Sequence, residues 1–276
     1  IQNSKVRTAD IMQQPTGNTK YLALLAHPVD HVKAPAFMNP EFQRIGLDWF
    51  LTPMHVRPEN LEDAVRGLQK IDNLLGINLT IPHKERMAEL CDELGFNAKR
   101  TRTVNAVRFD NGKLIGEMFD GVGLLIGQKK NGIDVAGRTA LILGAGGAGR
   151  AIAFSYQDEG VTRLGIYNRS IQRAEKLVAD IKKSFPDAIV EVVSNDPTGF
   201  DIICNCTSLG LHEGDPMPVK AEKLTANMVV VDIIAVRETE LMSAASARGC
   251  KVIGGVPMAV GQLSAFAKFF NAEKNK

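Results

Sequence analysis

The stretch LILGAGGAGRA, residues 141–151, restricts the fold more than any other part of the chain. A short apolar run ends at Gly144 and passes through Gly146 and Gly149 straight into helix-forming sequence. Glycines at that spacing permit a tight turn and let backbone approach a pyrophosphate. The N–H groups and dipole of the following helix then favour its negative charge. A glycine turn used only for packing is the bland alternative. Both flanks suit the dinucleotide reading, however, and a second strand, RLGIYN (163–168), follows at the right distance. Gly144, Ala145, Gly146, Gly147, Ala148 and Gly149 are therefore candidate cofactor-binding residues.

The end of that second strand bears on which dinucleotide. An NAD site usually carries Asp or Glu there, to accept hydrogen bonds from the ribose 2′-hydroxyl. This chain has Asn168, Arg169 and Ser170, with Arg150 and Arg173 nearby. Guanidiniums without a carboxylate suit a 2′-phosphate, so NADP is expected ahead of NAD. Surface arginines at helix starts are the alternative.

Strands and helices alternate on both sides of the motif. Helical segments are predicted at 146–160, 170–185 and 239–249, and strands at 188–193, 201–207, 228–234 and 251–255. Such alternation implies a parallel sheet with helices on both faces. The first half alternates too. Strands are predicted at 21–27, 48–56 and 76–81, with helices at 34–46, 58–71 and 83–95. TVNAVRF (103–109) and KLIGEMF (113–119) form a hairpin around Asp110-Asn111-Gly112. DGVGLLIGQKKNG (120–132) reads as a helical link between two α/β domains. A chain of 276 residues, 45% of them hydrophobic, can bury a core in each.

A net charge of +2, with no basic run interleaved with aromatics, argues against a dedicated nucleic-acid binder. No apolar run approaches the ~20 residues that span a bilayer. The polar opening IQNSKVRTADIMQQPTG does not read as a signal peptide, and the closing AEKNK reads as a frayed, solvated end. Cys91, Cys204, Cys206 and Cys250 are expected to be reduced structural thiols of a cytoplasmic protein. His27, His31, His55, His83 and His212 show no ligand spacing with carboxylates, so no metal site is implied.

NLTIPHK (78–84) is harder to account for. A strand ends by delivering Lys84, with Pro82 beside it. Taken alone, Lys84 reads as a solvated charge at a helix start. In company it reads differently. HPVDHVKAP, NLTIPHK, TVNAVRF, GEMFDGVG, GAGGAGRA, NRS, CNCTSLGL and VPMAVGQLSAF occur in an order and spacing that resemble the shikimate/quinate dehydrogenase family along nearly the whole chain.

The resemblance implies a substrate domain over residues 1–121, a Rossmann domain over 122–254, and a C-terminal helix over 255–276 that packs back on the substrate domain. The implied reaction is reversible hydride transfer between a ring hydroxyl and a nicotinamide, in a monomer or homodimer. Lys84 matches the family's catalytic lysine and Asp120 its partner aspartate. Thr80, Asn105 and Gln262 match substrate-contacting positions. Thr207, Ser208, Gly255 and Met258 fall along the cofactor. The chemistry suits the pair: oxidising an alcohol releases a proton as hydride leaves, and a positioned lysine can carry it.

The departures are as informative. The family usually places two serines in the first loop to hold the substrate carboxylate; here those positions are Val32 and Ala34. The usual Asn-Thr before the aspartate is Met118-Phe119, and Ala235 stands where a tyrosine is usual. Losing two charge-assisted bonds of roughly 1.5–3 kcal/mol each would weaken shikimate binding by roughly two to four powers of ten. Lys33 or His31 could supply a replacement charge, and Met118, Phe119 and Val32 suggest an apolar pocket wall. The leading expectation is an active NADP-dependent dehydrogenase whose substrate is a related cyclic hydroxy compound, ahead of shikimate itself. Authentic shikimate or quinate dehydrogenase is the second reading. A cofactor-binding sensor without turnover is the third, and it would need neither Lys84 nor Asp120.

Overall fold

The computed structural model describes residues 14–271. Most of the polar opening segment and all of the closing AEKNK lie outside them. Along the chain run β1 (Lys20–Ala26), α1 (Ala34–Arg44), β2 (Trp49–His55), α2 (Leu61–Leu68), β3 (Leu74–Leu79), α3 (Lys84–Leu90), β4 (Glu93–Leu94), α4 (Phe96–Thr101), β5 (Ala106–Asp110) and β6 (Lys113–Glu117). These form the first unit. α5 (Asp120–Lys130) leads out of it into β7 (Thr139–Leu143), α6 (Gly147–Asp158), β8 (Arg163–Tyr167), α7 (Ile171–Ser184), β9 (Val190–Val192), β10 (Ile202–Asn205), β11 (Val229–Asp232), α8 (Glu240–Ala247) and β12 (Lys251–Ile253). The described chain closes with α9 (Val256–Gly261) and α10 (Leu263–Phe270).

The second sheet has the order β12-β11-β10-β7-β8-β9, and every pairing in it is parallel. Its strands are near-continuous apolar runs because helices cover both faces. The first sheet has the order β2-β1-β3-β5-β6-β4 and is mixed. β1 pairs parallel with β2 and β3, whereas β5 pairs antiparallel with β3 and β6.

Two predicted elements differ in detail, and one helix is additional. The helix expected over 83–95 stops at Leu90, and Glu93–Leu94 pairs with β6 instead. α4 was not foreseen. Its sequence lacks an apolar stripe, and its first turn is capped from a distance by Glu117, whose Oε1 accepts from the Ala98 N–H at 2.8 Å. The single C-terminal helix is two, broken at Gln262.

α5 holds the molecule together. A Cβ built on Gly121 would lie 2.4 Å from the Ala151 carbonyl oxygen of α6, and one on Gly123 2.4 Å from the Met258 carbonyl oxygen of α9. Only glycine permits helices to approach that closely. α10 then lays Leu263, Phe266 and Phe270 against Leu22, Phe42 and Trp49 in the first unit's core.

Candidate active site

β3 ends in a turn containing the cis peptide Ile81–Pro82 and passes directly into α3, whose first residue is Lys84. The Lys84 ammonium donates to Asp120 Oδ2 at 2.5 Å. Asp120 opens α5 and is 2% exposed. Its other oxygen accepts from Asn105 Nδ2 at 2.7 Å and from Gln262 Nε2 at 3.2 Å. Asn105 also donates to Gln262 Oε1 at 2.7 Å and accepts from the Phe119 N–H at 2.9 Å. The four side chains come from four separate segments and form one closed relay. Thr80 sits on the turn, half-buried, and its carbonyl accepts from the His83 N–H.

The first loop runs past this relay. Val32 and Ala34 are half-buried and pack into the same apolar cluster as Phe119 and Phe266. Phe119 meets Phe266 and Phe269 edge to face at 5.3 and 5.5 Å. Met118 does not join that wall: it is 1% exposed and lies in the core with Leu79, Val104 and Ala151. Lys33 is exposed. His31 is a poor replacement charge. Its Nε2 is buried without a partner among the described residues, and burial, with the nearby His212, pushes its pKa down, which disfavours the charged form. His83 turns away from Lys84, with Nε2 on the Val56 carbonyl at 2.9 Å.

Across the cleft the glycine turn fits a dinucleotide. Gly144 has φ +106°, and a Cβ on Gly149 would lie 2.0 Å from the Gly144 carbonyl oxygen, so turn and helix are in direct contact. Gly146 faces open space, with nothing within 4 Å of its Cβ position. The N-terminus of α6, with Gly147 and Ala148 in its first turn, points there. A Cβ on Gly147 would lie 3.2 Å from Lys84 Cβ, so the turn abuts the lysine. Asn168 Oδ1 accepts from the Ala145 N–H at 3.0 Å, and its amide donates to the Ser170 carbonyl. Arg169 is exposed.

Arg150 corrects the expectation of a cation free for a 2′-phosphate. It is 7% exposed, and its guanidinium donates to the Thr101 carbonyl and to Asp180, both at 2.7 Å. Sequence shows that a charge is present but not that a carboxylate thirty residues on has already claimed it. Arg173 pairs with Glu85 of α3, across the cleft. Among the described residues, no group of three or more His, Cys, Asp or Glu could hold a metal.

Sequence reading missed the support for the loop after β10. Asn205 donates to Asp232 Oδ1 and the Leu209 carbonyl, and its oxygen accepts from the Thr207 N–H and hydroxyl. Asp232 also accepts from Thr239 at 2.8 Å, and its burial raises its pKa. This network fixes Thr207 beside the glycine turn, where a Cβ on Gly144 would lie 3.1 Å from Thr207 Cγ2; Ser208 follows it in the loop, Gly255 caps α9 and Met258 lies in its first turn. An Asn and an Asp inside otherwise apolar strands were the available signal.

Comparison with known proteins settles the family. The profile described as shikimate dehydrogenase substrate binding domain matches residues 24–107, and that described as shikimate / quinate 5-dehydrogenase matches 126–247. A shikimate dehydrogenase (NADP(+)) of Methanopyrus kandleri is 35% identical over 88% of this chain and 87% of its own length. The chain belongs to the shikimate dehydrogenase family. Among solved structures, a shikimate dehydrogenase in complex with NADP+ superposes with a TM-score of 0.86 at 31% identity, covering 95% of this chain and 93% of that one. A ligand-free 5-ketofructose reductase of Gluconobacter sp. strain CHM43 superposes with a TM-score of 0.79, also at 31% identity, over 92% and 94%. The two-domain α/β fold expected for the family is the fold observed.

Proposed function

We propose that this protein is an NADP(H)-dependent dehydrogenase that interconverts a hydroxyl and a ketone on a cyclic polyhydroxy compound, with shikimate a poor substrate. The observation that carries the reading is the buried Lys84–Asp120 pair at 2.5 Å beside a first loop that offers Val32 and Ala34. When bound, the nicotinamide cofactor supplies or accepts the hydride. The chain supplies everything else. Lys84 has three N–H donors and gives one to Asp120, which leaves it free to hold a substrate oxygen and to pass or take up its proton. Asp120, anchored by Asn105 and Gln262, keeps the ammonium aimed. Gly144 to Gly149 and the α6 N-terminus would hold the pyrophosphate, with Arg169 and Arg173 toward the 2′-phosphate and Thr207, Ser208, Gly255 and Met258 along the cofactor.

Two side chains that cannot donate hydrogen bonds make the first loop a poor carboxylate clamp. The Gluconobacter neighbour is named for a keto sugar, which has no carboxylate to clamp. The second reading, shikimate or quinate as the true substrate, is supported by the names of the 30–37% identical relatives and would need the clamp rebuilt around Lys33. A sensor without turnover has no use for the Lys84–Asp120 pair.

The test is a panel of shikimate, quinate, cyclic polyols and keto sugars, followed by NADPH absorbance with both cofactors. Weak turnover of shikimate, improved when Val32 and Ala34 are both changed to Ser, is expected. Efficient shikimate turnover by the unmutated protein would establish the second reading instead.

A further inference from the structure

A cavity of about 420 Å³ lies between α3 and α4 of the substrate domain and the starts of α6 and α7. Ala145 of the glycine turn forms part of its wall, together with Arg102, Arg150, Arg173 and Lys176. The carboxylates on it are Glu85 and Glu89. Three of the four cations already have partners. Arg150 and Lys176 bond Asp180, and Arg173 bonds Glu85. Arg102 makes no ion pair or side-chain hydrogen bond with any described residue, and it is exposed.

Its backbone is also unusual. Arg102 follows α4 with φ 54° and ψ 37°, the left-handed region that glycine or asparagine fills most readily. A side chain kept in that conformation at a cleft suggests that the side chain matters there. The segment around it is tightly fixed. The Thr101 carbonyl accepts from Arg150, the Val104 N–H donates to the Lys84 carbonyl at 3.0 Å, and Asn105 belongs to the relay. α4 is itself bound to α6 through Arg100, whose guanidinium donates to Asp158 Oδ1 at 2.8 Å. Arg102 thus belongs to the substrate domain, but its neighbours Arg100 and Thr101 are bonded to α6 of the dinucleotide-binding domain.

The geometry points to Arg102 as a determinant of cofactor choice: an unpaired cation from the substrate domain that shares a cavity with Arg173 and binds the 2′-phosphate of NADP(H) there. This rests on the NADP(H) reading above and extends it to a residue outside the Rossmann domain. A dianion entering the cavity would find Arg102 without displacing any existing partner, whereas Arg173 must share with Glu85. Because Arg102 lies three residues before Asn105, the bound phosphate would also stiffen the segment that supports Lys84 and Asp120.

The experiment is calorimetric titration of the unmutated protein, Arg102→Gly and Arg102→Gln with NADPH, NADH and adenosine 2′,5′-bisphosphate at fixed low salt. Both variants should bind NADPH and the bisphosphate about ten- to a hundredfold more weakly, the scale of one charge-assisted hydrogen bond. The change for NADH should stay within about twofold, since it lacks the group that Arg102 meets. Arg102→Gly should melt no lower than the unmutated protein, because glycine relieves the left-handed backbone. A folding defect would therefore show as a lower melting temperature and not be mistaken for lost affinity, and Arg102→Gln retests the charge with a side chain present. An unchanged NADPH-to-NADH preference in both variants overturns the inference. So does an equal loss for both nucleotides, which would place Arg102 on the pyrophosphate. If the unmutated protein binds neither nucleotide, the proposed function fails first and this inference with it.

Discussion

Lys84 is worth more than its charge because of what fixes it. One N–H is held by an aspartate that is itself held by two amides, so the ammonium has a direction before any substrate arrives. Lys84→Met keeps the stem and removes the proton. Single-turnover NADPH oxidation should slow by about two to four powers of ten while nucleotide affinity barely changes; oxidation at the unmutated rate would leave Lys84 a structural partner of Asp120 with no part in proton transfer. Asp120→Asn should slow turnover less, since an amide can still bond a hydroxyl. Arg169→Ala should raise the Michaelis constant for NADPH far more than for NADH, and equal increases would remove Arg169 from the 2′-phosphate. Matching motifs made Lys84, Asp120, Asn105 and Gln262 visible as candidates before any coordinates. Partners were not visible. Arg150 and Arg169 look equivalent in sequence, and only the fold shows one buried against Asp180 and the other exposed.

Among elements, α5 was legible as a helical link, but its glycines gave no hint of their use. Gly123 lies where α5 crosses α9, and any Cβ there meets Gln262 Cγ at 2.3 Å and the Met258 carbonyl oxygen at 2.4 Å. Gly123→Ala must push backbone apart, so about 1–3 kcal/mol of stability should be lost, together with turnover through a displaced Gln262. Gly67 in α2 provides the contrast, with nothing within 4 Å and an ordinary helical φ. Gly67→Ala should add about 0.4–1 kcal/mol by restricting the unfolded chain. Denaturant melts of the two variants moving in the same direction would contradict this account of the helix crossing. α4 shows the opposite limit. Its stabilising groups, Glu117 and Asp158, lie far along the chain, so no local window could have revealed it.

At the scale of the whole molecule, two histidines set an acid limit. Burial lowers the pKa of His83 and of His31 below the ordinary value near 6.5. The folded protein therefore keeps both neutral while the unfolded chain protonates them. Their contribution to stability is complete above about pH 6.5 and is lost as pH falls through that value toward the lower folded pKa. Melting temperature should decline from pH 7.5 to 5.5, and His83→Gln should flatten the decline even if it lowers the starting point. A slope unaffected by that change would assign the acid sensitivity elsewhere. The overall plan, two α/β units joined by a helix, was readable because period and glycine spacing are local properties. The closure of the relay was not, because it depends on a contact between Asp120 and a residue 142 positions later. That distance has a temporal meaning. A ribosome delivers Lys84, Asn105, Asp120 and the whole glycine-turn domain before Gln262 is made, so a nascent chain can form its second sheet while the hydrogen-bonded network around Asp120 still lacks a member. The anchoring of Asp120 is thus completed only after translation has passed the break between α9 and α10, and Gln262 arrives at a Lys84–Asp120–Asn105 arrangement whose other members are already made.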